Sequence, residues 1–106
     1  MPASLFDVVA EPHRRRILDA LREGDRSVTD LVDLLGLAQP TVSKHLRTLR
    51  EAELVVVRPE AQRRWYRLSP EPLRVLDHWL EPYRQTWERR LDALGKHLDE
   101  MEDTDD

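Results

Sequence analysis

At 106 residues with a formal net charge of −4, the chain is long enough for one domain with a modest core. It has no cysteine, which excludes disulfides, thiolate metal sites and cysteine nucleophiles, and its three glycines leave no glycine-rich phosphate loop. No apolar run approaches the roughly 18 residues of a membrane span, no signal-peptide pattern opens the chain, and the expected location is the cytoplasm with no membrane partner.

Residues 4–10, SLFDVVA, spell a short apolar helix. Glu11-Pro12 opens a second one, because proline at the first helical position gives up only a hydrogen bond that is orphaned there anyway. Ile17, Leu18 and Leu21 form its buried stripe and Gly24 is a natural left-handed stop. Ser27-Val28-Thr29-Asp30 has the form of a capping box with Asp in place of Glu. The helix it starts is expected to bury Val28, Leu31, Leu34 and Leu35 and to end at Gly36.

After a short turn, LAQPTVSKHLRTL places Leu37, Val42, Leu46 and Leu49 at helical spacing, and this helix is expected to run to about Glu53. Pro40, Lys44, Arg47 and Glu51 lie nearly opposite the apolar residues. The period then changes. LVVVRPE is β-branched and short, and RRWYRLS alternates Trp65, Arg67 and Ser69 with Arg64, Tyr66 and Leu68. These are the strands of a hairpin, with Pro59 at a strand end or in the loop.

Ser69-Pro70 caps a final long helix. Its seam, Leu73, Leu76, Leu80, Tyr83, Trp87, Leu91, Leu94, Leu98 and Met101, repeats every three or four residues, and Trp79 widens it. Such a stripe is longer than a body this small covers. It reads as a helix–helix dimer interface, the alternative being packing on its own domain. Pro82 lies inside the stripe and is expected to kink or divide the helix.

The net charge hides an asymmetry. Residues 38–69 carry Lys44, Arg47, Arg50, Arg58, Arg63, Arg64 and Arg67 against Glu51, Glu53 and Glu60. Residues 70–106 reverse the balance and end in DEMEDTDD, a tail read as frayed and solvated. A basic middle behind a capped helix, a tight turn and a second helix is the pattern of a helix–turn–helix, whose second helix enters the major groove of DNA. Small and polar residues at the start of that helix permit close approach to base edges. Lys44 and Arg47 reach guanine acceptors or phosphates. Arg58, Arg63, Arg64 and Arg67 form a second basic cluster suited to the minor groove or its flanking phosphates.

Leu31, then Leu34-Leu35-Gly36-Leu37-Ala38-Gln39-Pro40-Thr41-Val42-Ser43-Lys44-His45-Leu46, then Leu49-Arg50-Glu51-Ala52, resembles the winged helix–turn–helix of ArsR/SmtB-type bacterial repressors. Ala10-Glu11-Pro12-His13-Arg14-Arg15-Arg16-Ile17-Leu18 is similar to their second helix, and Arg64-Trp65-Tyr66-Arg67-Leu68 to their second wing strand. The resemblance implies a mainly α fold with a two-stranded β-hairpin: one domain over 1–106, with the helix–turn–helix at 27–53, the wing at 54–69, a C-terminal dimerisation helix at 70–102 and an acidic tail at 103–106. It implies a homodimeric repressor on an imperfect palindrome of double-stranded DNA. Gln39, Pro40, Thr41, Ser43, Lys44 and Arg47, with Arg63 and Arg64 of the wing, become the DNA-binding set. Leu5, Phe6, Leu76, Trp79, Leu80, Tyr83, Trp87, Leu91 and Leu94 become the dimer interface.

Two positions depart from the family pattern. Ala38 stands where a capping serine is frequent, a loss of roughly 1 kcal/mol. Glu53 stands where glycine is usual, at a cost on the order of 1 kcal/mol if the backbone there is left-handed. The family's metal sites are also incomplete. Ser27 and Thr29 replace a Cys-x-Cys pair and supply no soft thiolate. His97 and Glu100 match the second half of a site on the last helix, but Arg84 and Thr86 fall on its first half, which leaves zinc short of four ligands. The expectation is a metal-independent regulator with no cofactor. The aromatic run Trp79-Leu80-Glu81-Pro82-Tyr83 through Trp87 packs the seam or lines a pocket for a small-molecule effector. No segment shows a nucleophile–base arrangement, so no enzyme is expected. The rival reading is a winged-helix protein-interaction module without specific DNA binding.

Overall fold

The computed structural model describes residues 4–103. In chain order it contains α1 (Leu5–Ala10), α2 (Pro12–Arg22), α3 (Val28–Leu35), α4 (Gln39–Glu51), β1 (Val55–Glu60), β2 (Arg63–Leu68), a 3₁₀ turn (Glu71–Leu73) and α5 (Arg74–Asp103). The part of the acidic tail beyond Asp103 lies outside the described residues. The chain divides into two units, the first ending at Leu76 and the second beginning at Asp77.

The first unit is built around one apolar core. Val8 from α1, Ile17, Leu18 and Leu21 from α2, Leu31 and Leu35 from α3, and Val42, Leu46 and Leu49 from α4 are buried with Leu54, Val55 and Tyr66. The starts of α1, α2 and α3 each have a capping side chain. Ser4 accepts the Asp7 N–H, and Glu11 accepts the Arg14 N–H at 3.0 Å. The capping box at α3 is complete: Ser27 Oγ accepts the Asp30 N–H, and the Ser27 N–H donates to Asp30 Oδ2, both at 3.1 Å.

Two local expectations are corrected. Leu34 is 54% exposed. On an eight-residue helix whose inward ridge is Leu31 and Leu35, position 34 lies about a quarter-turn away, and Val32 packs against the core instead. Gly24 is not a left-handed cap. Glu23 closes α2 in right-handed geometry and Gly24 follows at φ 152°. Gly36, at φ 67°, is the left-handed stop of α3.

The hairpin pairs Val55 with Leu68, Val57 with Tyr66 and Glu60 with Arg63. Its two-residue turn, Ala61-Gln62, begins at φ 54°, as such turns require. Pro59 sits within β1 opposite Arg64, tolerable because both strands of a two-stranded sheet are edges. Arg26 adds a short bridge to Tyr66, donating its N–H to Tyr66 O and accepting from Tyr66 N–H at 3.1 and 2.8 Å.

In the second unit α5 is a continuous helix through Pro82, so proline does not divide it. The turn before Pro82 is held from the side: the Arg84 guanidinium donates to the Asp77 carboxylate at 2.7 Å, to the Asp77 carbonyl at 2.9 Å, and to Glu81. No helix among the described residues is long and apolar enough to cross a membrane.

Candidate nucleic-acid interface

α4 is anchored by three side chains and open on the other side. Val42, Leu46 and Leu49 are essentially inaccessible. Gln39, Pro40, Thr41, Ser43, Lys44 and Arg47 are all exposed: Pro40, Lys44 and Arg47 lie nearly opposite the buried residues, Thr41 and Ser43 flank that face, and Gln39 stands at the open first turn. The helix begins at Ala38, which contributes no side-chain hydrogen bond. Its first-turn N–H groups and the positive end of its dipole lie beside the hydroxyls of Thr41 and Ser43. Arg47 meets Glu51 at 3.4 Å, with both side chains largely exposed, a pairing too weak to withhold the cation. Among the described residues no carboxylate lies within ion-pair distance of Lys44, Arg63 or Arg64.

One polar residue of the helix belongs elsewhere. His45 is 15% exposed at its side chain, with Nε2 3.8 Å from Glu11 Oε2 and its ring 6.0 Å from that of His13. Burial holds its pKa below the ordinary 6.5; Glu11 pulls it up, while Arg14, His13 and Lys44 push it further down. Glu11 titrates below its usual range: burial raises it, but the Arg14 N–H and the two imidazoles outweigh that. His45 therefore joins α4 to α2 rather than facing outward.

The wing arginines are not one cluster. Arg63 and Arg64 are exposed at the turn and, with Gln62, face Ser27, Val28 and Thr29 across a cleft of about 240 Å³. Arg58 and Arg67 are held. Arg67 donates from Nε and Nη2 to the two oxygens of Asp25, each at 3.2 Å, and this raises its pKa. Arg58 donates to Glu60 at 2.7 Å and lies 3.8 Å from Asp25. Asp25 was missed by sequence reasoning. Its partner lies 42 positions away, and no local pattern marks an ion pair of that separation.

Most of the residues expected at a dimer interface are exposed in the single chain. In α1, Leu5 is half-buried and Phe6 exposed; in α5, Leu76 and Leu80 are half-buried, while Trp79, Tyr83, Trp87, Leu91 and Leu94 are exposed. Trp79 and Tyr83 lie with ring centroids 5.0 Å apart at 45°.

Comparison with known proteins decides the family. The family model described as "Bacterial regulatory protein, arsR family" matches residues 11–57. The HTH-type transcriptional regulator Rv2034 of Mycobacterium tuberculosis is 35% identical over 97% of this chain and 94% of its own. The transcriptional repressor SdpR of Bacillus subtilis is 30% identical over 73% and 86%. The chain belongs to the ArsR family. Among solved structures, an ArsR-like transcriptional regulator from Rhodococcus sp. RHA1 superposes with a TM-score of 0.66 at 28% identity, covering 85% of each chain. The fold is the winged helix–turn–helix: α3 and α4 are its helix–turn–helix and β1–β2 its wing. The chain is a transcriptional regulator, and these relatives are regulators rather than enzymes.

The side chains present do not fit the two family metal sites described above. Ser27 is buried, with its hydroxyl engaged in capping α3, and Thr29 offers only another hydroxyl. On α5, Arg84 occupies a ligand position as a cation tied to Asp77 and Glu81. Among the described residues no group of three or more His, Cys, Asp or Glu could hold a metal ion.

Proposed function

We propose that this ArsR-family protein is a homodimeric repressor acting in the cytoplasm on a pseudo-palindromic operator, without metal as its signal. The observation that carries the reading is α4: a helix fixed by three buried residues, with an exposed face of small polar groups leading and cations following. Laid in the major groove, Gln39, Thr41, Ser43 and Lys44 meet base edges, and Pro40 permits close approach. Arg47, Arg63 and Arg64 meet phosphates or the minor groove.

The α5 seam supports the dimer. Its residues fall symmetrically about Trp87: Tyr83 and Leu91, Leu80 and Leu94, Leu76 and Leu98, Leu73 and Met101 are equidistant from it in sequence. Two copies running antiparallel about a two-fold axis at Trp87 set Leu80 of one opposite Leu94 of the other, a self-complementary arrangement. Leu5 and Phe6 of α1 are a second candidate contact, on the first unit. The two recognition helices of such a dimer enter grooves about 34 Å apart.

The test is duplex binding as a function of salt. Selection from a random duplex pool is expected to yield a palindrome whose affinity falls steeply with salt. The Lys44→Ala, Arg47→Ala double variant is expected to lose at least about tenfold with an unchanged far-UV spectrum. Undiminished affinity removes α4 from the interface, and no selectable duplex at low salt leaves the protein-interaction module. Micromolar zinc is expected to leave operator affinity unchanged; release by zinc overturns the metal-independent reading.

A further inference from the structure

We infer that Asp25 is an internal substitute for a DNA phosphate: it holds Arg67 of the wing, and its charge lowers the affinity of the regulator for duplex. The inference rests on the DNA-binding reading of the wing. Register places Arg63, Trp65 and Arg67 on one face of β2, with Arg58 across from Trp65. At a strand's rise, Arg63 and Arg67 stand about 13 Å apart along that face, a row that one backbone strand of a duplex can follow. The cation of the row at the turn, Arg63, has no carboxylate within ion-pair distance among the described residues, although its charge reaches Asp30. The other is gripped by both oxygens of Asp25, which is the fork geometry arginine also makes with phosphate.

The pair is not the wing's only anchorage. Arg67 is 63% and Asp25 27% exposed, so water screens the pair in part and its two bonds add to, rather than supply, the hold on the wing. The wing is already fastened beside Asp25 by the two backbone bonds between Arg26 and Tyr66, by the buried Tyr66 ring, and by the Ser69 N–H to Leu54 O bond at 2.8 Å. A carboxylate that is one of several anchors of the wing, and engages its arginine through both oxygens, competes with any anion that approaches. Arg58 keeps Glu60 when Asp25 is lost, so one cation is released.

The experiment measures binding to a fluorescein-labelled mixed-sequence duplex of about 30 base pairs, three helical turns, by anisotropy across a salt series. Asp25→Asn is expected to tighten binding roughly 3- to 10-fold at low salt and to steepen the salt slope by about one, with an unchanged far-UV spectrum. Asp25→Glu keeps the charge and is expected to bind as the unaltered chain does. In an Arg67→Gln background the gain from Asp25→Asn is expected to vanish. Equal gains in both backgrounds mean general repulsion of DNA by a carboxylate and overturn the inference. So does weaker binding by Asp25→Asn, which makes the pair a brace. If the unaltered chain binds no duplex, the DNA-binding reading falls, and the inference with it.

Discussion

Glu53 closes α4 in a conformation that suits glycine. Its N–H donates to Arg50 O at 2.9 Å and the Leu54 N–H to Leu49 O at 3.0 Å, the paired bonds of a Schellman end with its apolar contact between Leu49 and Leu54. That motif requires a left-handed residue, and Glu53 sits at φ 62°. A side chain with a Cβ pays for this position in steric strain that glycine avoids. Glu53→Gly is expected to stabilise the protein by about 1 kcal/mol, net of the entropy glycine adds to the unfolded chain, read as a higher urea midpoint at unchanged slope. The residue lies away from the exposed face of α4, so duplex affinity is expected to stay constant. A lower midpoint sinks the strain argument. Ala38 marks the other end of the same helix, where Ala38→Ser restores a capping oxygen and adds a comparable amount.

At the scale of elements, the α2–α4 contact has a pH dependence of known sign. His45 titrates below its ordinary 6.5 chiefly because it is buried, so the folded chain binds fewer protons than the unfolded one. Its contribution is fully present above pH 6.5 and is lost as pH falls through the lowered value. Glu11 and Asp30 are also depressed, Asp30 first by the Ser27 N–H, and they withdraw stability in the same direction at lower pH. The melting temperature is expected to decline from pH 7 to 5, and His45→Gln to flatten that decline above pH 5; an unchanged slope removes His45 as its cause. The sequence announced most elements through local causes: Pro12, the Ser27–Asp30 box, Gly36, and the change from helical to alternating period at Leu54. It was silent where causes are distant. Nothing near Asp25 foretells Arg67, and nothing near His45 foretells Glu11 and His13, which draw it off the polar face. It misled where a short pattern has two solutions, as with Leu34 and Val32 on α3. At Pro82 the side chains of Asp77, Glu81 and Arg84 hold together a turn that proline alone predicts to break.

For the whole molecule the decisive question is what covers α5. A helix of 30 residues, about 45 Å long, presents Tyr83, Trp87, Leu91, Leu94, Leu98 and Met101 to solvent, with Leu91 66% exposed. An apolar stripe of that length marks a site of association. The proposed partner is a second copy of the chain, since a surface whose spacing about Trp87 matches its own reverse is suited to pair with itself. The absence of cysteine makes this testable one thiol at a time. Trp87→Cys is expected to yield a disulfide-linked dimer on mild oxidation, because only a residue at the two-fold axis meets its own copy within the span a disulfide bridges. Leu98→Cys alone is expected to stay unlinked, whereas Leu76→Cys with Leu98→Cys links, each thiol finding the other on the opposite chain. Crosslinking by Leu98→Cys alone means parallel helices and overturns the two-fold at Trp87. Leu91→Glu with Leu94→Glu places like charges in the seam, and is expected to give a monomer by sedimentation whose operator affinity falls toward that of a single half-site. A dimer that survives both glutamates locates the association elsewhere on the chain.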